Sequence, residues 1–203
     1  SEERMVDNRF DPKPMMLQGN LVRLEPLTLD HAPGLLNIAQ DESIWQFFAM
    51  DAPKRLDEAE QWIKGRLSDQ EAGQRLPFAV ISLANGEFAG STGYSEINKT
   101  NRTIAIASWY GVKYQRTGVN TECKYMLLKY AFEEFGAFRV SLNVDVKNMR
   151  SRRAVERIGG VQEGLLRKQR IRKDGTHRDT VIYGFTDDDW PRVKERLEGF
   201  MER

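Results

Sequence analysis

The sequence predicts a mixed α/β fold, a central and mostly antiparallel sheet with helices on both faces. Three observations carry this expectation. Strand-like and helix-like stretches follow in the order strand, two helices, three strands, helix, strand, helix, hairpin, helix. The run of three strands is joined by short polar turns, so its neighbours are antiparallel. The strand after that run lies beyond a full helix, and a crossover of that length returns the chain as a parallel neighbour.

Residues 20–27, NLVRLEPL, alternate apolar and polar side chains and form the opening strand. Thr28 and Asp30 offer a helix start, with Asp30 as the cap, and Ala32, Leu35, Leu36 and Ala39 recur at helical spacing. Residues 42–53 hold Trp45, Phe47 and Phe48 without a clean period, and these aromatics belong to the core or line an acceptor pocket. A helix over residues 57–70 follows, carrying Ala59, Trp62, Ile63 and Leu67. Residues 76–83 and 87–97 are strands around a two-residue Asn85-Gly86 turn, and a polar turn at 99–102 leads into a third strand at 103–112. Residues 121–135 place Cys123, Met126, Leu127, Tyr130, Ala131 and Phe135 on one wide apolar stripe that Gly136 ends. Residues 139–146 are a short buried strand and 149–158 a helix closed by Gly159-Gly160. The strands 162–172 and 177–185 form a hairpin, and a last helix covers 187–201.

At 203 residues the chain is expected to be one domain over residues 18–203, preceded by an arm, residues 1–17, partly disordered or packed on the body. It is 40% hydrophobic, and no apolar run approaches the ~18 residues of a membrane span, so a soluble cytoplasmic protein without membrane contact is expected. One cysteine, Cys123, excludes an internal disulfide and a cysteine-cluster metal site. His31 and His177 have no partner at ligand spacing, so no metal is expected.

The net charge of +1 conceals a split. Residues 147–178 hold eleven Lys or Arg against three acids, so this segment carries +8 and the remainder −7. It is either a solvated face or a wall that attracts a polyanion. It has almost no aromatics for base stacking, which argues against nucleic acid.

The most informative stretch is 112–121, VKYQRTGVNT, between a strand and an amphipathic helix. A Gly-containing turn there aims successive backbone N–H groups and a helix N-terminus at one point, an arrangement that holds phosphate without metal.

This turn, read with Asn148-Met149-Arg150-Ser151, Tyr130-Ala131-Phe132-Glu133, Glu163-Gly164 and Arg178-Asp179-Thr180, resembles the GNAT superfamily of N-acetyltransferases. The branch it looks similar to is that of ribosomal-protein N-terminal acetyltransferases, RimJ/RimL-like. The resemblance covers roughly residues 18–187. It implies a GNAT-like acyl-CoA N-acyltransferase fold and transfer of acetyl from acetyl-CoA to a primary amine, on a protein N-terminus or a small molecule. It also implies that a homodimer is common among such proteins. The phosphate-loop pattern, Gln/Arg-x-x-Gly-x-Gly/Ala, is met by Gln115 and Gly118, while Asn120 stands at the last small position.

What the resemblance implies for individual residues is as follows. Backbone groups of Trp109, Tyr110, Gly111 and Val112 hold the thioester. Gln115, Arg116, Thr117, Gly118, Val119, Asn120 and Thr121 hold the pyrophosphate. Asn148 contacts pantetheine or caps its helix, and Ser151 protonates the departing thiolate. Arg152 and Arg153 add charge complementarity. The strand at 103–109 lacks the expected carboxylate base, which leaves Glu96, Asp145 or a chain of waters that includes Ser108. A non-catalytic acyl-CoA-binding module and succinyl transfer remain open alternatives.

Overall fold

The computed structural model describes residues 10–202. In chain order these form β1 (Leu17–Gln18), β2 (Val22–Pro26), α1 (Ala32–Ile38), α2 (Leu56–Glu71), β3 (Leu76–Ser82), β4 (Phe88–Asn98), β5 (Thr103–Tyr110), α3 (Val119–Lys129), β6 (Arg139–Asp145), α4 (Met149–Arg157), β7 (Val161–Ile171), β8 (His177–Thr186) and α5 (Trp190–Met201). The strands make one sheet in the order β1-β2-β3-β4-β5-β6-β8-β7. Every pairing is antiparallel except β5 with β6, the pair joined through α3.

Strand alternation divides the core into two halves. Ala79, Ile81, Phe88 and Trp109 face α1 and α2 and pack with Leu35 and Ile63. Phe78, Val80, Tyr94, Ile104 and Ile106 face the other way, against Leu127 and Leu128 of α3. β3 is buried along its whole length because both its faces are covered.

Several local details depart from the sequence expectation. Asp30 does not cap the first helix: a 3₁₀ turn at Leu29–His31, capped by Thr28, comes first, His31 is the N-cap of α1, and the Thr28 N–H donates to His31 Nδ1 at 2.9 Å. The β3–β4 connection is longer than two residues, with Ser82 N–H donating to Glu87 O and Gly86 N–H to Ser82 O. The helix of residues 121–135 starts earlier, at Val119, and its end loosens into a π turn at Tyr130–Glu134. The expected arm is tied down where it is described: Phe10 is buried edge-on against Phe135, and β1 pairs with β2. Residues 1–9 of that arm lie outside the described residues.

The feature that positions a site is the short β5–β6 pairing. It covers only Thr103↔Arg139, Ile104↔Val140 and Ala105↔Ser141. Beyond Ala105 the two strands part, β5 keeping β4 and β6 keeping β8.

Leu127 is fully buried between the sheet and the helical layer. Leu127→Ala is expected to lower unfolding stability by about 2–5 kcal/mol, read from chemical denaturation midpoints.

Candidate active site

The parting of β5 and β6 opens a cleft of about 1140 Å³, bounded by β5, the start of α3, the start of α4 and the segment after α1. Gly111 N–H donates to Ala89 O on β4. Antiparallel alternation therefore turns the main-chain groups of Trp109 and Gly111 toward β4, and those of Ser108 and Tyr110 toward the cleft. Sequence reasoning named the stretch but not this phase. The Trp109 side chain faces away, among Trp45, Trp62 and Phe88.

At one end of the cleft the chain turns into α3. Arg116 and Gly118 both adopt left-handed backbone, φ 60° and 90°. A Cβ on Gly118 would lie 3.3 Å from Leu21 Cδ1, so both conformation and space favour glycine. The turn is braced from within: Thr117 Oγ1 donates to Tyr114 O at 2.5 Å, and Gln115 Nε2 to Tyr110 O at 3.1 Å. Val119, Asn120 and Thr121 then open α3 with N–H groups that precede its first helical bonds. The positive end of the helix dipole and a turn of this shape suit an anion. Arg150 bonds Gln115 Oε1 at 2.5 Å, and Arg157 reaches Thr121 Oγ1 at 3.5 Å. These two arginines line the cleft, whereas Arg152 is turned to Tyr183 and the Val146 carbonyl.

Asn120, the residue at odds with the small-residue pattern, has its side chain turned aside. Its Oδ1 accepts from Lys124 Nζ at 2.9 Å, and the same ammonium donates to Ser108 Oγ at 3.0 Å, which is 2.6 Å from Thr92 Oγ1. Lys124 is buried and faces no carboxylate in this network; burial pushes its pKa down to about 8. Sequence reasoning missed it. The only available signal was a lysine four residues from Asn120, beside the apolar stripe of the helix. Cys123 next to it is a core residue, its thiol pushed up to about 12 by burial.

Asn148 caps α4, accepting from the Ser151 N–H at 3.2 Å, so the cap reading of this residue holds. Its amide nitrogen takes no part in the cap, and both Asn148 and Ser151 line the cleft. The two carboxylates expected as bases differ sharply. Asp145 is buried and grips Arg172 through two 2.8 Å bonds, while its Oδ1 also accepts the Lys147 N–H. Burial alone raises its pKa, but Arg172 and the Lys147 N–H outweigh that and hold the carboxyl below the usual range. Both its oxygens are thus engaged, and the pair ties the end of β6 to the residue that follows β7. Glu96 sits at a bulge in β4 with φ 49°, exposed, its Oε2 3.4 Å from Asn143 Nδ2 on β6. It therefore reaches the opening between the parted strands.

Residues 22–161 match the family described as "Acetyltransferase (GNAT) domain". The chain belongs to the GNAT acetyltransferase family. A GCN5-related N-acetyltransferase from Brucella melitensis has the same architecture, with a TM-score of 0.86 and 29% identity over 93% of this chain and 86% of that one. Mycobacterium smegmatis RimJ, solved in complex with CoA-disulfide, shares the fold, with a TM-score of 0.77 and 22% identity over 92% of each chain. The Bacillus subtilis protein "Putative ribosomal N-acetyltransferase YdaF" is 32% identical over 112 residues, 55% of this chain and 61% of its own length. The likeness to ribosomal-protein acetyltransferases expected from the sequence is thus met among the relatives of this GNAT chain. Among the described residues no helix is long and apolar enough to cross a membrane.

The buried Lys124 has a measurable consequence. Its pKa is about 8 in the fold against roughly 10.4 in an unfolded chain, so between these values the unfolded chain holds a proton that the native state has shed. Stability from this group therefore rises with pH across that window and is lowest below it, by an amount on the order of 3 kcal/mol. Lys124→Met is expected to melt at a higher temperature than the parent at pH 7, with the gap closing as pH rises from 8 to 10.

Proposed function

We propose that this chain is an acetyl-CoA-dependent N-acetyltransferase that moves an acetyl group to a primary amine by direct attack. The observation that carries the reading is the open side of β5: main-chain groups of Ser108 and Tyr110 face a cleft that ends at the Gly118 turn and the start of α3. An extended pantetheine chain can pair with that edge as a further strand does, while successive N–H groups meet the pyrophosphate. Gln115 to Thr121 serve the pyrophosphate, with Arg150 and Arg157 supplying positive charge beside it. Asn148 offers its amide nitrogen to pantetheine.

When bound, acetyl-CoA supplies the activated acyl group. The protein's part is alignment, which lowers a barrier by several kcal/mol when two reactants are held in line. Glu96, directly or through water held at Ser108, takes the proton of the attacking amine. Ser151, in the first turn of α4, gives a proton to the departing thiolate. No covalent enzyme intermediate is invoked, since the one cysteine is buried in the core.

The acceptor is the amine of a protein N-terminus or of a small molecule. The name of the Bacillus subtilis relative supports the first, and Phe47, Phe48 and Met50 lining the acceptor end of the cleft supply apolar surface for either. The same reading takes the protein to be cytoplasmic, which the single buried thiol supports. A homodimer belongs to it as well, and the exposed Leu165, Leu166 and Ile171 on the edge strand β7 support that.

Thiol release from acetyl-CoA across a panel of amines tests the reading; absence of turnover over a broad panel overturns it. Glu96→Gln is expected to lower kcat about 100-fold with unchanged melting temperature. Gly118→Val is expected to abolish acetyl-CoA binding in calorimetry, and unchanged affinity would refute the loop assignment.

A further inference from the structure

On the face of β5 that α2 covers, a recess of about 40 Å³ opens beside Ala107, Ser108 and Trp109, and these three together with Trp62, Arg66 and Arg75 also line the large cleft, so the recess is a side pocket of it. Its polar lining is unusual in sign. Trp62 and Trp109 both border it, and the indole N–H of each is buried without a hydrogen-bond partner among the described residues. Trp109 is 5% exposed as a whole, so water does not satisfy it from outside. An unpaired buried donor costs about 1–3 kcal/mol, and native proteins rarely keep two side by side without use.

Two guanidiniums border the same recess. Arg75 Nε bonds Asp69 at 3.1 Å, while Arg66 lies 4.0 Å from that same carboxylate and 4.8 Å over the Trp62 ring. One carboxylate thus serves two cations. Burial and the neighbouring Arg75 push the Arg66 pKa down to about 10, the mark of a cation short of compensating charge. Indole and guanidinium groups are donors only, so the four groups together call for an acceptor with negative charge. The volume is little more than the ~30 Å³ that one water occupies in the liquid, which suits a single planar carboxylate.

We propose that this recess is the anion subsite of the acceptor, so that the amine acetylated by this enzyme carries a carboxylate within a few atoms of its nitrogen. Trp62, Trp109, Arg66 and Arg75 receive the carboxylate, and the amine is thereby presented at Ser108 on the open edge of β5. This rests on the acyl-transfer reading and narrows its acceptor. A free amino acid and a peptide beginning with Asp or Glu both meet the requirement.

Two measurements test it. The first compares kcat/KM for matched pairs: free amino acids against their amides, and Asp- or Glu-initiated peptides against their Asn or Gln counterparts. The carboxylate member is expected to win by about tenfold or more, the size of one charge-assisted hydrogen bond. The pair with the larger ratio identifies which of the two sources is used. Trp62→Phe, which keeps the ring under Arg66 and removes the N–H, is expected to shrink that ratio several-fold through KM. Arg66→Met is expected to bring it near one. Equal rates within the pairs, or a preference that survives both variants, overturns the subsite.

The second measurement needs no turnover. Tryptophan fluorescence of the parent is titrated with N-acetyl amino acids and with their amides. Saturable change with the carboxylates alone, lost in Arg66→Met, which keeps every tryptophan, supports the subsite even if acyl transfer itself were absent. Identical responses to acid and amide overturn it.

Discussion

The short pairing of β5 with β6 is the constraint on which the rest of the site depends. Three register pairs hold the two strands together, and then the sheet divides, each strand retaining one partner. A parallel pair that continued would have consumed the main-chain groups of Ser108 and Tyr110. Because it stops, those groups face a cleft, and the helix that connects the two strands presents its N-terminus at the cleft's end. The bulge that separates Ser95 from Asn98 in β4 lies at the same level as the last β5–β6 pair, and such a bulge adds local twist. Sheet, turn and helix dipole thus converge on one opening.

Charge is distributed around that opening with different degrees of compensation. Asp145 and Arg172 form a buried, doubly bonded pair that ties the end of β6 to the residue following β7, across the intervening β8. Lys124 is buried with only neutral acceptors, Ser108 and Asn120. Arg66 and Arg75 divide one carboxylate. A buried cation without a carboxylate partner is expensive to keep, as at Lys124, and Lys124, Arg66 and Arg75 all border the cleft in which an anionic substrate is expected.

Much of this was legible from the sequence because it rests on local rules. The apolar stripe that places Met126, Leu127 and Ala131 together is a matter of helical period, and it locates α3 to within two residues at its start. Gly118 was identified from its place between a strand and a helix, and its φ of 90° is what that place requires. Asn148 was open between a pantetheine contact and a helix cap, and the cap is what its side chain forms. What failed was local as well: a 3₁₀ turn capped by Thr28 stands ahead of α1, so Asp30 falls inside that turn and His31 becomes the N-cap of α1. Asp145 and Glu96 were indistinguishable on paper. Only the strand pairing that delivers Arg172 to one and leaves the other exposed at a bulge separates them.

By itself, then, the sequence determined the kind and order of the elements, the position of the Gly118 turn and the membership of the core, since periodicity, caps and turn chemistry act over a few residues. The tertiary structure alone decided where β5 and β6 part, which main-chain groups face the opening, and that Lys124 and Asn120 turn toward each other and Ser108. It also decided that Trp62 and Arg66 from α2 and Arg75, the residue before β3, meet Trp109 from β5 at one recess. Those facts depend on register and on contacts between residues tens of positions apart, and no local propensity encodes the distance between two side chains brought together by the folding of a sheet.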